Sequence, residues 1–283
     1  MVNGGDAGDA KAVTTIGVIM AARNARLTIA ESIGSVLSQT VRPAQVVVVD
    51  DGSTDDTAAV VEAFARQRSD VQLLRTAPVG RAAARNLALE RLHTDLVAVQ
   101  DADDVALPWR FEEALATFAQ HPDAVAVGAQ MLAFARPGHA WELPSWPTDP
   151  AAIASGFAAG TMAIAHPTAV ARRSAVTAAG GYDPAFAYGE DLALFRAISA
   201  QGPMVASDRV VTLYRKPRRH SFGLLWRTQL SRRQARDGRL TASARLAALV
   251  EVVRTWLRQR VKPLPPERPL SAFGIDPVFG GPR

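Results

Sequence analysis

The sequence predicts an α/β fold: a Rossmann-like, mostly parallel central sheet flanked by helices, with a C-terminal helical extension. Three observations predict it. Strand-length apolar runs alternate with stretches of helical spacing from Thr15 to Gln100. Four consecutive valines, Val46 to Val49, suit a parallel strand covered on both faces. Polar residues, mostly aspartates, gather where the apolar runs end, and open parallel sheets bind ligands beyond the carboxyl ends of their strands.

Thr15 to Met20 is short, apolar and β-branched, which predicts a buried strand. Leu27 to Ser38 places apolar residues at helical intervals. Gln45 to Asp50 is the second strand, broken by Asp51-Gly52-Ser53-Thr54, and Ser53 or Thr54 is the expected cap of a helix running to Gln67. Val71 to Arg75, Gly80 to Leu92 and Leu96 to Gln100 continue as strand, helix and strand. This β-α-β-α-β-α-β order is that of a doubly wound sheet. Beyond Pro108 the pattern predicts a helix over Trp109–His121, a strand over Ala124–Phe134 and a loop over Arg136–Ser155. A short helix from Arg173 to Ala179 should end at Gly180-Gly181. A helix over Asp191–Ala200, a strand over Val205–Leu213 and amphipathic helices over Phe222–Arg236 and Ala242–Val261 follow. The expected organisation is a flexible N-terminus (1–13), the α/β domain (14–215), a basic helical extension (216–262) and a Pro/Gly-rich, extended tail (263–283).

The 283 residues, 48% of them hydrophobic, suffice for a sizeable core. Without cysteine the chain has neither a disulfide framework nor thiolate-ligated zinc. Met1 to Ala12 lacks the basic start and apolar run of a secretory signal, and no stretch nears the ~18 apolar residues of a membrane span. A cytoplasmic location is expected. The formal charge of +5 is uneven: Arg215 to Lys262 is rich in Arg and Lys and holds only the acids Asp237 and Glu251. That asymmetry is read either as a solvated arginine-rich face or as a surface for an anionic partner, with no nucleic-acid partner expected.

The first strand runs out at Ala21-Ala22-Arg23-Asn24, the second at Asp50-Asp51-Gly52-Ser53 and the fourth at Asp101-Ala102-Asp103-Asp104. Clustered carboxylates repel one another, and burying them unpaired costs several kcal/mol, so a cation is expected among them. Hard oxygen ligands in an Asp-x-Asp pattern suit Mg2+ or Mn2+, ions that take one or two carboxylates together with substrate phosphates.

Four runs then carry a resemblance: VVVVDDGSTDDT (Val46–Thr57), PVGRAAARNLAL (Pro78–Leu89), LVAVQDADD (Leu96–Asp104) and GGYDPAFAYGEDLALF (Gly180–Phe195). In this order, over roughly Ile16 to Leu213, the chain resembles the family 2 inverting glycosyltransferases of GT-A fold. The resemblance implies a hexosyltransferase-type enzyme. It would move a sugar from a nucleotide diphosphate sugar to an acceptor hydroxyl by metal-assisted single displacement. It implies a donor-nucleotide site at Ala21, Arg23, Asn24, Asp50, Asp51, Arg81, Arg85 and Asp101, with Asp51 accepting a hydrogen bond from the base. Asp103, with Asp101, would ligate the divalent cation, and Asp191 would be the general base. Glu190 and His166 are expected near acceptor or sugar, and His220 is a third candidate metal ligand.

The chain departs from the family pattern at Arg23, where an aromatic residue commonly stacks on uracil. A guanidinium also stacks on bases, so the donor base stays open. His220 follows Tyr214-Arg215 at a longer spacing than expected. Two other readings compete. A sugar-nucleotidyltransferase would carry a glycine-rich loop after the first strand, where Ala21-Ala22-Arg23-Asn24 has no glycine. A receiver-type switch domain would be much shorter and would lack a counterpart of Glu190-Asp191. The acceptor is not readable. A polyprenyl phosphate at the inner face of a membrane is one alternative. The basic C-terminal helices would then serve peripheral membrane contact, or else a homodimer surface.

Overall fold

A computed structural model describes residues 14–186, 189–216, 226, 229, 230, 241–261 and 265–276. The first half is the expected alternation. β1 (Ile16–Ala22), β2 (Gln45–Asp51), β3 (Val71–Thr76) and β4 (Leu96–Val99) are linked through α1 (Ile29–Leu37), α2 (Thr57–Gln67) and α3 (Arg81–Glu90). These strands lie side by side in the order β4-β1-β2-β3, every pair parallel. The valine run of β2 is buried on both sides: Val47 and Val49 enter one hydrophobic cluster with α3, Val46 and Val48 the opposite cluster with α1 and α2.

The second half is mixed. β5 (Val105–Ala106), α4 (Arg110–Gln120), β6 (Ala126–Phe134), β7 (His139–Glu142), α5 (Pro150–Ala158), β8 (Val170–Arg172), α6 (Arg173–Ala178), α7 (Glu190–Ser199) and β9 (Met204–Arg215) follow in turn. β8 runs antiparallel between β4 and β6, and β9 lies parallel to β6 while pairing antiparallel with β5. The stretch read as a loop over Arg136–Ser155 instead contains β7 and the start of α5. Tryptophans and prolines masked both. Trp141 is a buried strand residue, and Pro150 occupies the first turn of α5, where its missing N–H costs nothing, behind an Asp149 cap that accepts from Ala152 N at 2.8 Å.

Further along, the described part of the Pro/Gly-rich tail adds β10 (Arg268–Pro269) against β7, and its Leu270 and Ile275 join a third cluster with Val105, Leu107 and Leu213. α8 (Ala242–Val261) forms where expected. The helix expected over Phe222–Arg236 lies outside the described residues except at 226, 229 and 230.

One lock fixes the segment that leads to α7. Asn86 on α3 donates from Nδ2 to Tyr182 O at 2.7 Å and accepts at Oδ1 from Tyr182 N at 2.8 Å. Gly180 and Gly181 close α6 as expected, both at positive φ (82° and 73°), and a Cβ at Gly181 would stand 2.7 Å from Asn86 Oδ1. Replacing Asn86 leaves the peptide of buried Tyr182 unpaired on both sides. Asn86→Ala should therefore cost about 2–3 kcal/mol, read as a lower urea midpoint at constant slope. A shift under ~0.5 kcal/mol would mean that the lock is not holding this segment.

Candidate active site

Because β1, β2 and β4 are parallel, their carboxyl ends share one edge, and the strand order reverses between β1 and β4, where such sheets open a crevice. Ala21, half-buried, is the penultimate residue of β1, and Arg23 and Asn24 are exposed beyond the strand. Asn24 takes the left-handed conformation (φ 50°) and stitches this loop to the next: its Oδ1 accepts from Thr54 N at 2.8 Å and its N donates to Ser53 Oγ at 2.9 Å. Ser53, expected to cap α2, is used here instead.

Asp50 and Asp51 are buried and face backbone amides. Asp50 Oδ1 accepts from Ser53 N at 3.2 Å. Asp51 Oδ1 accepts from Val79 N at 2.6 Å and Gly80 N at 3.1 Å, and Oδ2 takes a second 3.1 Å contact with Gly80 N. This carboxylate thereby holds the turn that opens α3. Gly80 sits there at φ 90°, ψ 157°, a conformation essentially restricted to glycine.

From α3, Arg85 reaches back to the edge. Its guanidinium is buried; Nη2 donates to Asp101 Oδ1 at 2.7 Å and Nη1 to Glu190 Oε1 at 2.8 Å. Arg81, one turn earlier and more exposed, adds a 3.2 Å ion pair to Glu190. Burial works against the Asp101 carboxylate, but Arg85 overrides it and holds the group below its usual value. Arg85 itself is held more firmly protonated, since Asp101, Tyr182 and Glu190 outweigh its desolvation.

The Asp101–Asp104 loop is braced from below by groups that pattern reading did not single out. Gln100, fully buried, donates to Ser32 Oγ at 3.0 Å and Asp104 O at 2.9 Å while accepting from Arg110 at 2.7 Å. Ser32 and Thr28 hydrogen-bond the carbonyls of Asp101 and Ala102. Arg215 donates from its backbone N to Asp104 Oδ1 (2.8 Å) and from Nε to Asp103 O (2.8 Å), and pairs with Glu31. The available signal was Gln100, a polar residue inside an apolar strand run, which requires buried partners.

The remaining carboxylates shift upward. Asp103 stands at the solvent edge of the loop, and surrounding protein followed by the Asp101 charge pushes its carboxyl above the ordinary value. Asp104 is pushed well above by burial and by the same neighbours, and its Oδ2 has no hydrogen-bond partner among the described residues. Asp191, half-buried in the first turn of α7, is raised by burial and then by Glu190. Tyr214, also unforeseen, lies close enough to Asp104, Asp101 and Asp103 for burial and their charges to raise its phenol.

Glu190 and His166, expected near acceptor or sugar, both lie inside the fold. Glu190 is 2% exposed and pairs with Arg81 and Arg85. His166 is interior as well. It lies buried in a 3-10 turn with Nε2 3.1 Å from Tyr182 Oη, and burial, then Arg85, depress its pKa to about 3, so it stays neutral. His220 lies outside the described residues.

No group of three or more His, Asp or Glu among the described residues forms a self-sufficient metal site. The donor set nevertheless fits a hard divalent cation. Asp101 and Asp103 offer oxygen ligands only, the Asp103 carboxyl stays raised although Arg215 and Arg81 act to lower it, and such ions complete their shells with phosphate oxygens.

Comparison with known proteins places this arrangement. The chain is 35% identical over 171 residues to the putative glycosyltransferase EpsE of Bacillus subtilis, covering 59% of each chain. It is 30% identical over 177 residues to the amylovoran biosynthesis glycosyltransferase AmsE of Erwinia amylovora, covering 61% of this chain and 64% of that one. It thus spans less than two thirds of these relatives. Among solved structures, S. aureus TarS 1–349 in complex with UDP superposes with a TM-score of 0.60 at 18% identity, over 85% of this chain and 71% of that one. The mannosyltransferase PcManGT of Pyrobaculum calidifontis, in complex with GDP-Man and Mn2+, gives 0.58 at 20%, over 88% and 76%. The fold is therefore the GT-A fold of these enzymes. The family model described as glycosyl transferase family 2 matches residues 17–179, and the chain belongs to that family.

Proposed function

We propose that this chain is an inverting glycosyltransferase that moves a sugar from a nucleotide diphosphate sugar to an acceptor hydroxyl by single displacement. The observation that carries the proposal is the ion network in which Arg85, buried, joins Asp101 at the end of β4 to Glu190 at the start of α7. In this reading it draws Asp103 and Asp191, two carboxyls raised above the ordinary value, toward one edge of the sheet. Relatives support a nucleotide-sugar donor: TarS structures hold UDP or UDP-GlcNAc, and PcManGT holds GDP-Man with Mn2+.

In this reading the nucleotide base lies against the exposed Arg23–Asn24 loop and the Asp51 edge, and Arg81 faces the diphosphate. Asp101 and Asp103 would hold Mn2+ or Mg2+, which when bound neutralises charge on the departing diphosphate. Asp191 receives the proton of the acceptor hydroxyl as its oxygen bonds to the anomeric carbon, and the bond from that carbon to the diphosphate oxygen breaks on the opposite side. A carboxyl raised above the ordinary 3.8 is a stronger base for this step than an exposed aspartate. Glu190 keeps Arg81 and Arg85 in place and does no proton transfer. No helix among the described residues is long and apolar enough to cross a membrane. A cytoplasmic location, alone or against the inner membrane face, is part of the proposal.

Three substitutions test these roles. UDP, GDP, dTDP and CDP are screened by thermal shift with and without Mn2+, and one nucleotide should raise the melting temperature only with the metal. Asp103→Asn should abolish that shift while leaving the metal-free protein at least as stable, because it removes a carboxylate crowded by Asp101. If the mutant keeps the full metal-dependent shift, Asp103 is not a ligand.

Asp191→Asn should leave nucleotide binding intact and lower kcat by on the order of a hundredfold or more. Because Asp191 must be deprotonated, and its folded pKa is raised, turnover in the parent should fall as pH drops through a value above 3.8. The residual activity of Asp191→Asn should lack that limb. An unchanged acid limb in the mutant would assign the proton to another group. Glu190→Gln, by contrast, should lower the melting temperature before it lowers kcat at permissive temperature, since it breaks buried ion pairs.

A further inference from the structure

α8 carries a surface that the transfer chemistry does not use. Ala248 and Val252 are fully buried and set the inner line of this twenty-residue helix. On its outer side Leu246, Leu249, Val250, Val253 and Leu257 are all exposed, Leu246 at 65% and Leu257 at 51%. At about 100° per residue these five side chains fall within one arc of roughly 100°, on a helix about 30 Å long. Arg245 and Arg254 are exposed and flank the arc, each about 40° beyond one of its edges. Glu251, the only acid of α8, falls on the far side of the helix from the centre of the arc.

Five large exposed aliphatic side chains in one stripe are more than scattered surface hydrophobes, and mark a docking face. Its occupant is indicated by charge. Residues 215–262 are rich in Arg and Lys and contain only Asp237 and Glu251 as acids, so a second copy of the chain would bring the same cationic border. In an antiparallel pairing about the midpoint of the stripe, Arg254 of one copy would lie near Arg254 of the other on the same edge of the seam. In a parallel pairing each edge of the seam would carry Arg245 of one copy and Arg254 of the other. Either juxtaposes like charges beside the apolar seam. An anionic bilayer surface satisfies both halves of the pattern: the aliphatic stripe enters the acyl boundary and the flanking guanidinium groups meet phosphate headgroups.

We propose that α8 is an interfacial helix that seats this chain on a membrane surface bearing anionic phospholipid. The inference does not depend on the sugar donor or on the acceptor. It seats the chain at a bilayer without a spanning helix among the described residues.

The test is co-sedimentation of the full chain with vesicles of phosphatidylcholine alone or with roughly one-third phosphatidylglycerol, at about 150 mM salt. The parent should sediment with the anionic vesicles and stay in solution with the neutral ones. Leu246→Asp with Val250→Asp should abolish sedimentation. Arg245→Gln with Arg254→Gln should lower the partition coefficient on the order of twentyfold. Because all four positions are exposed, melting curves and nucleotide thermal shifts should match the parent. Should a double variant fail that control, Leu257→Asp alone, on the same stripe, serves in its place. A parent that ignores both vesicles overturns the proposal, as does equal binding to both. So does a dimer, seen by sedimentation velocity, that Leu246→Asp with Val250→Asp dissociates while the parent binds no vesicles, which would make a second copy the occupant.

Discussion

The buried guanidinium of Arg85 is the constraint on which the rest of the candidate catalytic edge depends. It stands between Asp101, which opens the loop after the fourth strand, and Glu190, which begins α7 105 residues beyond Arg85. Either carboxylate buried alone would be costly, and removing one partner from such a network costs about 3–5 kcal/mol. The arrangement is sustained because Arg85 serves both acids, with Arg81 sharing Glu190 and the Tyr182 ring 5.3 Å from the Arg85 guanidinium. Positive charge in this region is limited, and its distribution sorts the acids. Asp101 and Glu190 receive it directly. Asp103, Asp104 and Asp191 do not, and their carboxyls rise. Burial and then the Asp101 charge raise Asp103, and the same crowding of carboxyls makes the edge attractive to a cation.

A loop of four residues holding three aspartates should be soft, since its like charges favour spreading. Here every backbone carbonyl of consequence is tied to the scaffold. Thr28 and Ser32 on α1, Gln100 beneath the loop and Arg215 at the end of β9 approach from different directions. Arg110, buried and depressed to about 10 by its burial, donates to Gln100 and to the Val99 carbonyl. The bracing groups thus come from early and late parts of the chain, so that the β9 strand, far from the loop in sequence, decides where Asp103 sits. Positioning of this kind lowers the reorganisation that binding a diphosphate would otherwise require.

The parallel half of the sheet was legible because its signals are local. Four apolar runs, helical spacing between them and a turn after each strand suffice for βαβ logic, and the observed strands match within a residue or two. The rim aspartates were legible for the same reason, since strand ends define the edge. What escaped depended on partners distant in sequence. β7 and α5 hide among Trp and Pro residues whose burial is decided by β6 and by the late segment at Arg268–Pro269. Arg215 gave no sign that it would clamp the aspartate loop. His166 and Glu190 carry side chains that suit catalysis, and only the tertiary surroundings, Tyr182 above one and two arginines beside the other, assign them to the interior.

Glu190 and Asp191 show how adjacent acids come to differ. Successive residues on a helix point about 100° apart, so both cannot face the same partner. Gly189, at φ 81°, turns the chain into α7, and its conformation sets which of the two enters the arginine pair. Glu190 has the longer side chain and reaches Arg85 from the inner side of the helix. Asp191 Oδ1 accepts from its neighbour's amide, Leu192 N, at 2.8 Å, and the residue is half-buried. The positive end of the helix dipole favours ionised acid at both positions, yet burial and the Glu190 charge still win at Asp191 and raise it. One helix start thereby supplies a strut whose charge is neutralised and a carboxylate whose basicity is increased by that strut. Exchanging the two residue types would place the shorter side chain before Arg85 and the longer one over the open face, losing the ion pair and displacing the proposed base together. The order Glu-Asp is therefore a geometric requirement of this edge, not an interchangeable acidic pair.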